Sequence, residues 1–169
     1  GADIHGVDIS PAMVEVLRAK LPQQQQHRVE VADVCALNTA GNYALVIAPF
    51  RVFMHLLTVE RQLQALAALH RQLIPGGTLI FDLFVPNLKM LSQGLRDQLD
   101  FEGEYEPGKM LRRYTSMNAD PVNQLIQVAF RLEWEEDGIV RTETWHTRMR
   151  IFFRYELEHL MHRSVFPDY

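Results

Sequence analysis

The chain has 169 residues, of which 47% are apolar and 22% charged, the balance of a globular domain with a real core. A formal charge of −4 excludes any global attraction to nucleic acid, and no apolar run is long enough to cross a bilayer. The single cysteine, Cys35, excludes an internal disulfide framework and fits a reducing compartment, so the expected location is the cytoplasm.

Asp3 to Ile9 reads as a short buried strand. Ser10-Pro11 is a helix start, with Ser10 as N-cap and Pro11 in the first turn. The helix places Val14, Leu17 and Leu21 on one side and stops at Pro22. A polar link, Gln23 to Gln26, leads to a second strand over Arg28 to Ala32. Tyr43 to Ala48 is a third strand, apolar throughout, as expected when both sheet faces are covered. A helix follows over Val59 to Leu73, with Val59, Leu63, Leu66 and Leu73 at helical spacing. Pro75-Gly76-Gly77 ends it, and Thr78 to Phe84 make a fourth strand. Strands alternating with helices imply a parallel sheet with helices on both faces.

The pattern changes after Pro86. Residues 88–108 read as irregular or partly helical, with Gly94, Gly103 and Gly108 among them. Val122, Ile126, Val128, Phe130, Leu132 and Trp134 then occupy alternate positions, and Asp137-Gly138 is a hairpin signal. Ile139 to Phe153 is the returning strand. A two-residue turn sets Phe130 opposite Trp145 and Ile126 opposite Met149. Leu111 to Met117 adds a third strand. Tyr155 to His162 is a helix burying Leu157, Leu160 and Met161.

Four places carry chemistry. Asp8 ends a strand just before a capped helix, where a carboxylate can accept both hydroxyls of a ribose; a plain turn aspartate is the alternative. Asp33 ends the next strand and can accept from an adenine amino group, with the Val34 backbone beside it; capping of a local turn is the alternative. In Ala48-Pro49-Phe50-Arg51-Val52-Phe53-Met54-His55, the polar side chains are Arg51 and His55. An arginine there can hold a carboxylate, and a histidine can take a proton near neutral pH or bond to backbone at a helix start. The Leu73 to Asp82 segment is a helix stop, glycine turn and strand. Glu158, His159 and His162 share a helix but do not make a ligand set of known spacing, so no metal is expected. Arg148, Arg150, Arg154 and Arg163 make the C-terminal stretch basic, as a solvated face or a binding patch.

Asp8 in Gly6-Val7-Asp8-Ile9-Ser10-Pro11, then Asp33, the Leu45-Val46-Ile47-Ala48 strand and the Pro75-Gly76-Gly77 turn resemble class I S-adenosylmethionine-dependent methyltransferases in order and spacing. Asp82 to Asn87, the paired strands and Trp145-His146-Thr147-Arg148-Met149-Arg150 resemble the small-molecule subgroup with an antiparallel lid. The resemblance implies an α/β, Rossmann-like parallel sheet flanked by helices, with the lid inserted after the Pro75-Gly76-Gly77 strand unit. Residues 1–87 and 154–169 would be a partial core, and 88–153 the lid. It further implies S-adenosylmethionine as cofactor, held by Asp8 and Ile9 at the ribose, Asp33 and Val34 at the adenine, and Ala48 at the methionine end. The methyl acceptor would be a small molecule bearing a nucleophilic oxygen or nitrogen, with His55 as base, Arg51 orienting the acceptor and Trp145 walling the pocket. Packing of Trp145 on Phe130 is the alternative.

Two departures stand out. Ala44 follows Tyr43 where the family carries an acid. The glycine-rich loop and its strand, which precede the ribose acid by about 20 residues in nucleotide-binding α/β units, have no room before Asp8. Ser164-Val165-Phe166 resembles the approach to a final strand pair. The expectation is therefore a domain truncated at both ends. Two rivals remain: a nicotinamide-dependent oxidoreductase fragment, and a non-catalytic domain that keeps the fold without the cofactor.

Overall fold

The computed structural model describes residues 3–37, 41–85 and 87–166. They form two compact units, one built from 1–49, 58–81 and 158–169, the other from 50–57 and 82–157.

The first unit contains two strand–helix–strand crossovers. Strand β1 (Gly6–Asp8) leads into helix α1 (Pro11–Lys20), then a 3-10 turn (Gln23–Arg28) and strand β2 (Val29–Val31). The Ser10 side chain accepts from the Met13 N–H, capping α1, and Pro11 supplies a helical φ where no intrahelical N–H bond is needed. Val14 and Val29 are buried, and the Arg18 guanidinium donates to the Val29 carbonyl, fixing helix to strand. The glutamine run, expected as a plain link, is wound into the 3-10 turn. Leu17, expected inside, is exposed.

Strand β3 (Tyr43–Ala48) is joined by helix α2 (Val59–Gln72) to strand β4 (Leu73–Phe81). Thr58 caps α2 through the Arg61 N–H. The buried stripe of α2 is Gln62, Ala65, Leu66, Ala68, Leu69 and Gln72, rotated from the expected one. Small alanines let the helix approach closely, while Val59 stays exposed. Pro75-Gly76-Gly77 is not a turn before the strand but a bulge inside it. Tyr43 faces Leu73 and Leu45 faces Thr78, so the register slips in between. Gly76 has φ +76°, and a Cβ on Gly77 would sit 3.1 Å from the Tyr43 carbonyl oxygen.

Both pairs are parallel, β1 with β2 and β3 with β4, but among the described residues they form two separate two-stranded sheets rather than the single continuous sheet that the alternation implies. Leu45 and Ile47 of β3, expected to be covered on both faces, remain 48% and 55% exposed. Helix α4 (Arg154–Arg163) contributes buried Leu160 and Met161. Ser164 accepts from the Phe166 N–H and closes the helix end, so 164–166 form no strand. Pro86 and the residues beyond Phe166 lie outside the described residues.

The second unit is dominated by a four-stranded antiparallel sheet in the order β5 (Leu95–Glu106), β6 (Lys109–Asp120), β7 (Leu125–Glu136) and β8 (Ile139–Arg150), preceded by helix α3 (Leu88–Gln93). Asp137 and Gly138 both have positive φ, as a tight hairpin demands. The register sets Phe130 against Trp145 and Ile126 against Met149, as the alternation requires. Strand β5 occupies a segment whose sequence reads as irregular. One sheet face carries a core of Met117, Ile126, Val128 and Ile151, packed with Phe84, Met90, Leu91, Leu95 and Met149. Because Ile126 sits at its centre, Ile126→Ala is expected to destabilise this unit by about 3 kcal/mol in denaturant titrations. A loss below about 1 kcal/mol would show that the face is not a packed core.

Candidate functional site

In the first unit the strand ends gather the acidic residues. Asp8 pairs with Val31, and its carbonyl accepts from the Ala32 N–H. The ends of β1 and β2 are therefore level, with Asp8 closing one strand and Asp33 just beyond the other. Asp8 is exposed. Its Oδ1 accepts from the Ser10 N–H at 2.8 Å, and its second oxygen has no hydrogen-bond partner among the described residues. This carboxylate is oriented on one side and open on the other. Ile9 is exposed beside it.

Asp33 is more committed. Its Oδ1 accepts from the Cys35 N–H, capping the 3-10 turn Val34–Ala36. Both oxygens also hold Nη2 of Arg61, at 3.0 and 2.8 Å. The Cys35 backbone bond and the Arg61 guanidinium keep the Asp33 carboxyl below its ordinary range. Burial raises the Cys35 thiol. A carboxylate offers about four lone-pair positions, so Asp33 retains room for one further donor. Sequence reasoning missed Arg61: 28 positions separate the partners and no local pattern joins them. Ala48 is buried opposite Phe81 at the paired ends of β3 and β4.

The second unit holds the other candidates. Phe50 and Arg51 are two consecutive non-glycine residues with positive φ, +57° and +64°. Left-handed backbone costs such residues roughly 1 kcal/mol each. The 3-10 turn Val52–His55 follows, anchored by buried Phe53 and Met54, with the Phe53 ring 5.7 Å from Phe152. The Arg51 guanidinium lies 5.9 Å from the centre of the Phe84 ring, and the Arg51 N–H donates to Asp82. His55 is exposed at the end of this turn rather than at a helix start, and its Nδ1 lies 3.4 Å from Thr147 Oγ1. Thr147 and Trp145 alternate along β8 and so share a sheet face. Trp145 packs on Phe130 with ring centres 5.1 Å apart yet stays 52% exposed, so it both packs and presents a surface. Arg51, His55 and Trp145 thus fall in one unit, and Asp8, Ile9, Asp33, Val34 and Ala48 in the other. Thr147 was legible from the Trp145 alternation; Asp82 was not. Arg150 of the basic stretch is tied to Glu156 and Gln124, a structural clamp.

No group of three or more potential metal ligands occurs among the described residues, and no described helix is long and apolar enough to cross a membrane.

Residues 1–81 match the methyltransferase-domain family. No curated protein matches the chain by sequence. Among solved structures, an S-adenosylmethionine-dependent methyltransferase from Clostridium acetobutylicum is similar, at TM-score 0.71 and 16% identity, over 95% of this chain and 63% of that one. So is S-adenosylmethionine-bound CalS10, an amino pentose methyltransferase from Micromonospora echinaspora, at 0.69 and 20%, over 95% and 64%. The sugar N-methyltransferase KedS8 from Streptoalloteichus scores 0.75 at 17% identity, over 94% and 60%. The chain therefore spans less than two thirds of the length of these structures. At such identities the likeness establishes the fold, which is that of the class I methyltransferases. It is the fold that the resemblance in Asp8, Asp33 and the Pro75-Gly76-Gly77 segment implies.

The Asp33–Arg61 pair gives a pH signature. Its folded pKa lies below the unfolded one, so its contribution is present above about pH 4 and is lost as pH falls through the folded value. Both side chains are partly exposed, so water screens the pair and its contribution is small. Stability curves of wild type and Asp33→Asn should therefore differ slightly at neutral pH and converge in acid. A gap that stays constant into acid would show that the carboxylate charge is not what matters.

Proposed function

We propose that this chain, with residues 1–81 matching the methyltransferase-domain family and a class I methyltransferase fold, serves an S-adenosylmethionine-dependent methyl transfer to a small molecule. The observation that carries the reading is Asp8: an exposed carboxylate at the end of a parallel strand, oriented by the Ser10 N–H and with one oxygen open.

That donor and acceptor set fits the nucleoside end of the cofactor. Asp8 accepts from the ribose hydroxyls, with Ile9 against the sugar. Asp33 takes an adenine amino group on its remaining lone pair, beside the Val34 backbone. Ala48, small and at a strand end, leaves space for the methionine end. S-adenosylmethionine supplies a methyl group made electrophilic by its sulfonium.

The acceptor side is assigned to the second unit, with 88–153 as a lid. Transfer of this kind needs mainly alignment of nucleophile and methyl. Arg51 orients the acceptor, and Trp145 walls the pocket. His55 takes the proton released as the acceptor oxygen or nitrogen forms its bond to carbon. If His55 Nδ1–H donates to Thr147 Oγ1, Nε2 is left as the proton acceptor. CalS10 and KedS8 act on an amino pentose and a sugar nitrogen, so a sugar amine is the first acceptor to assay.

Calorimetric titration of the protein with S-adenosylmethionine tests the cofactor half. Bonds to a carboxylate are each worth about 1.5–3 kcal/mol, so Asp8→Ala should weaken binding by about tenfold or more; unchanged affinity would sink the ribose assignment. His55→Ala should slow methyl transfer by about a hundredfold or more while leaving cofactor affinity alone. An undiminished rate would remove His55 from the chemistry.

A further inference from the structure

The backbone at Phe50 and Arg51 poses a question that packing does not answer. Both residues are left-handed, although neither is the glycine, asparagine or aspartate that tolerates this conformation. The Phe50 side chain is 90% exposed, so its burial holds nothing in place. From Val52 onward the chain is fixed by buried Phe53 and Met54, and the Met54 N–H donates to the Arg51 carbonyl. Upstream of that bond, the strained pair is reached from a distant segment: the Arg51 N–H donates to Asp82 Oδ1 at 3.1 Å, across 31 positions of sequence. Two residues beyond Asp82, the Phe84 ring lies under the Arg51 guanidinium. Backbone and side chain of Arg51 are thus gripped by one short segment after β4.

We propose that Asp82 is a positioning residue: its carboxylate holds the left-handed Phe50–Arg51 turn and thereby aims the Arg51 guanidinium across Phe84 toward the methyl acceptor. The aim has functional meaning through the role given to Arg51 above and rests on that reading. The contacts themselves do not depend on that role. A helical or extended φ at Arg51 would turn its N–H away from Asp82 and swing the side chain off the Phe84 ring. The strain is then the means by which an arginine faces a chosen direction from a turn that has no side-chain cap of its own.

Nuclear magnetic resonance of the intact protein without any ligand reads the device directly. The signals are amide exchange at Arg51, its amide–Hα coupling, and the ring-current shift that Phe84 imposes on the Arg51 side chain. Asp82→Ala should speed Arg51 amide exchange by about tenfold or more, the loss of one charge-assisted bond, and should abolish the left-handed coupling and the ring-current shift. Asp82→Asn, which keeps a side-chain oxygen as acceptor, should restore all three. Phe50→Asn with Asp82→Ala should keep a left-handed coupling at position 50 although Arg51 amide protection is lost, because asparagine tolerates this backbone. Protected amides across β5 to β8 confirm that each variant is folded, and the Asn variant carries the test should the Ala variant not fold. Unchanged exchange and ring-current shift in Asp82→Ala would overturn the proposal, as would an Asn variant indistinguishable from Ala. These signals need no cofactor, so failure of the Asp8 titration would leave them standing, and their failure would leave the cofactor reading standing.

Discussion

Parallel pairing is the constraint that sets the candidate cofactor site. Two parallel neighbours cannot be joined by a tight turn; the chain must cross back, here through α1 and through α2. Each crossover returns the second strand in the same direction, so both strand ends finish at one edge. Asp8 with Val31 and Ala48 with Phe81 are the paired positions at those edges. Residues at or just past a strand end are delivered to that edge, and β1 and β2 each deliver an acid there, Asp8 and Asp33. The carboxylates are placed by topology and then oriented locally, Asp8 by one backbone N–H and Asp33 by a backbone N–H and an arginine. The two differ in kind: one is open for a ligand, the other already bears structural load.

The antiparallel sheet solves a different problem. It needs one apolar face, and the alternation of Met117, Ile126 and Val128 supplies it at one end. Toward Trp145 the same face becomes half-open, with an aromatic pair beside the Thr147–His55 contact. The opposite face is held by charge: Arg131 bridges Asp97 and Glu133 while lying 4.0 Å from the Tyr114 ring centre. Several ion pairs sharing partners order their side chains together, which an isolated surface pair does not do.

Much of this was legible in the residues. Tyr43–Ala48 is a strand because it is an uninterrupted apolar run, and the Asp137-Gly138 turn fixes the Phe130–Trp145 pairing. The features that were not legible have physical causes. Strand β5 lacks alternation because it lies at the sheet edge with repeated register shifts, and its acids Asp97, Asp100 and Glu102 pair with arginines instead of facing a core. The Pro75-Gly76-Gly77 bulge looks like a turn because both need the same glycine freedom. The α2 stripe was misplaced because buried alanines and glutamines carry little hydrophobic signal. At the site, Asp8 and Asp33 could be found from strand ends, but Arg61 and Asp82 act across long separations that no local pattern encodes.

In the proposed complex the ends of β1 and β2 receive the nucleoside side of S-adenosylmethionine. Ultraviolet cross-linking of the cofactor to the protein, with peptide mapping of the product, tests it most directly. Label should fall in the peptides that contain Asp8–Ile9 or Asp33–Val34 and be competed away by S-adenosylhomocysteine. Label confined to β5 to β8, or indifferent to that competitor, would contradict it.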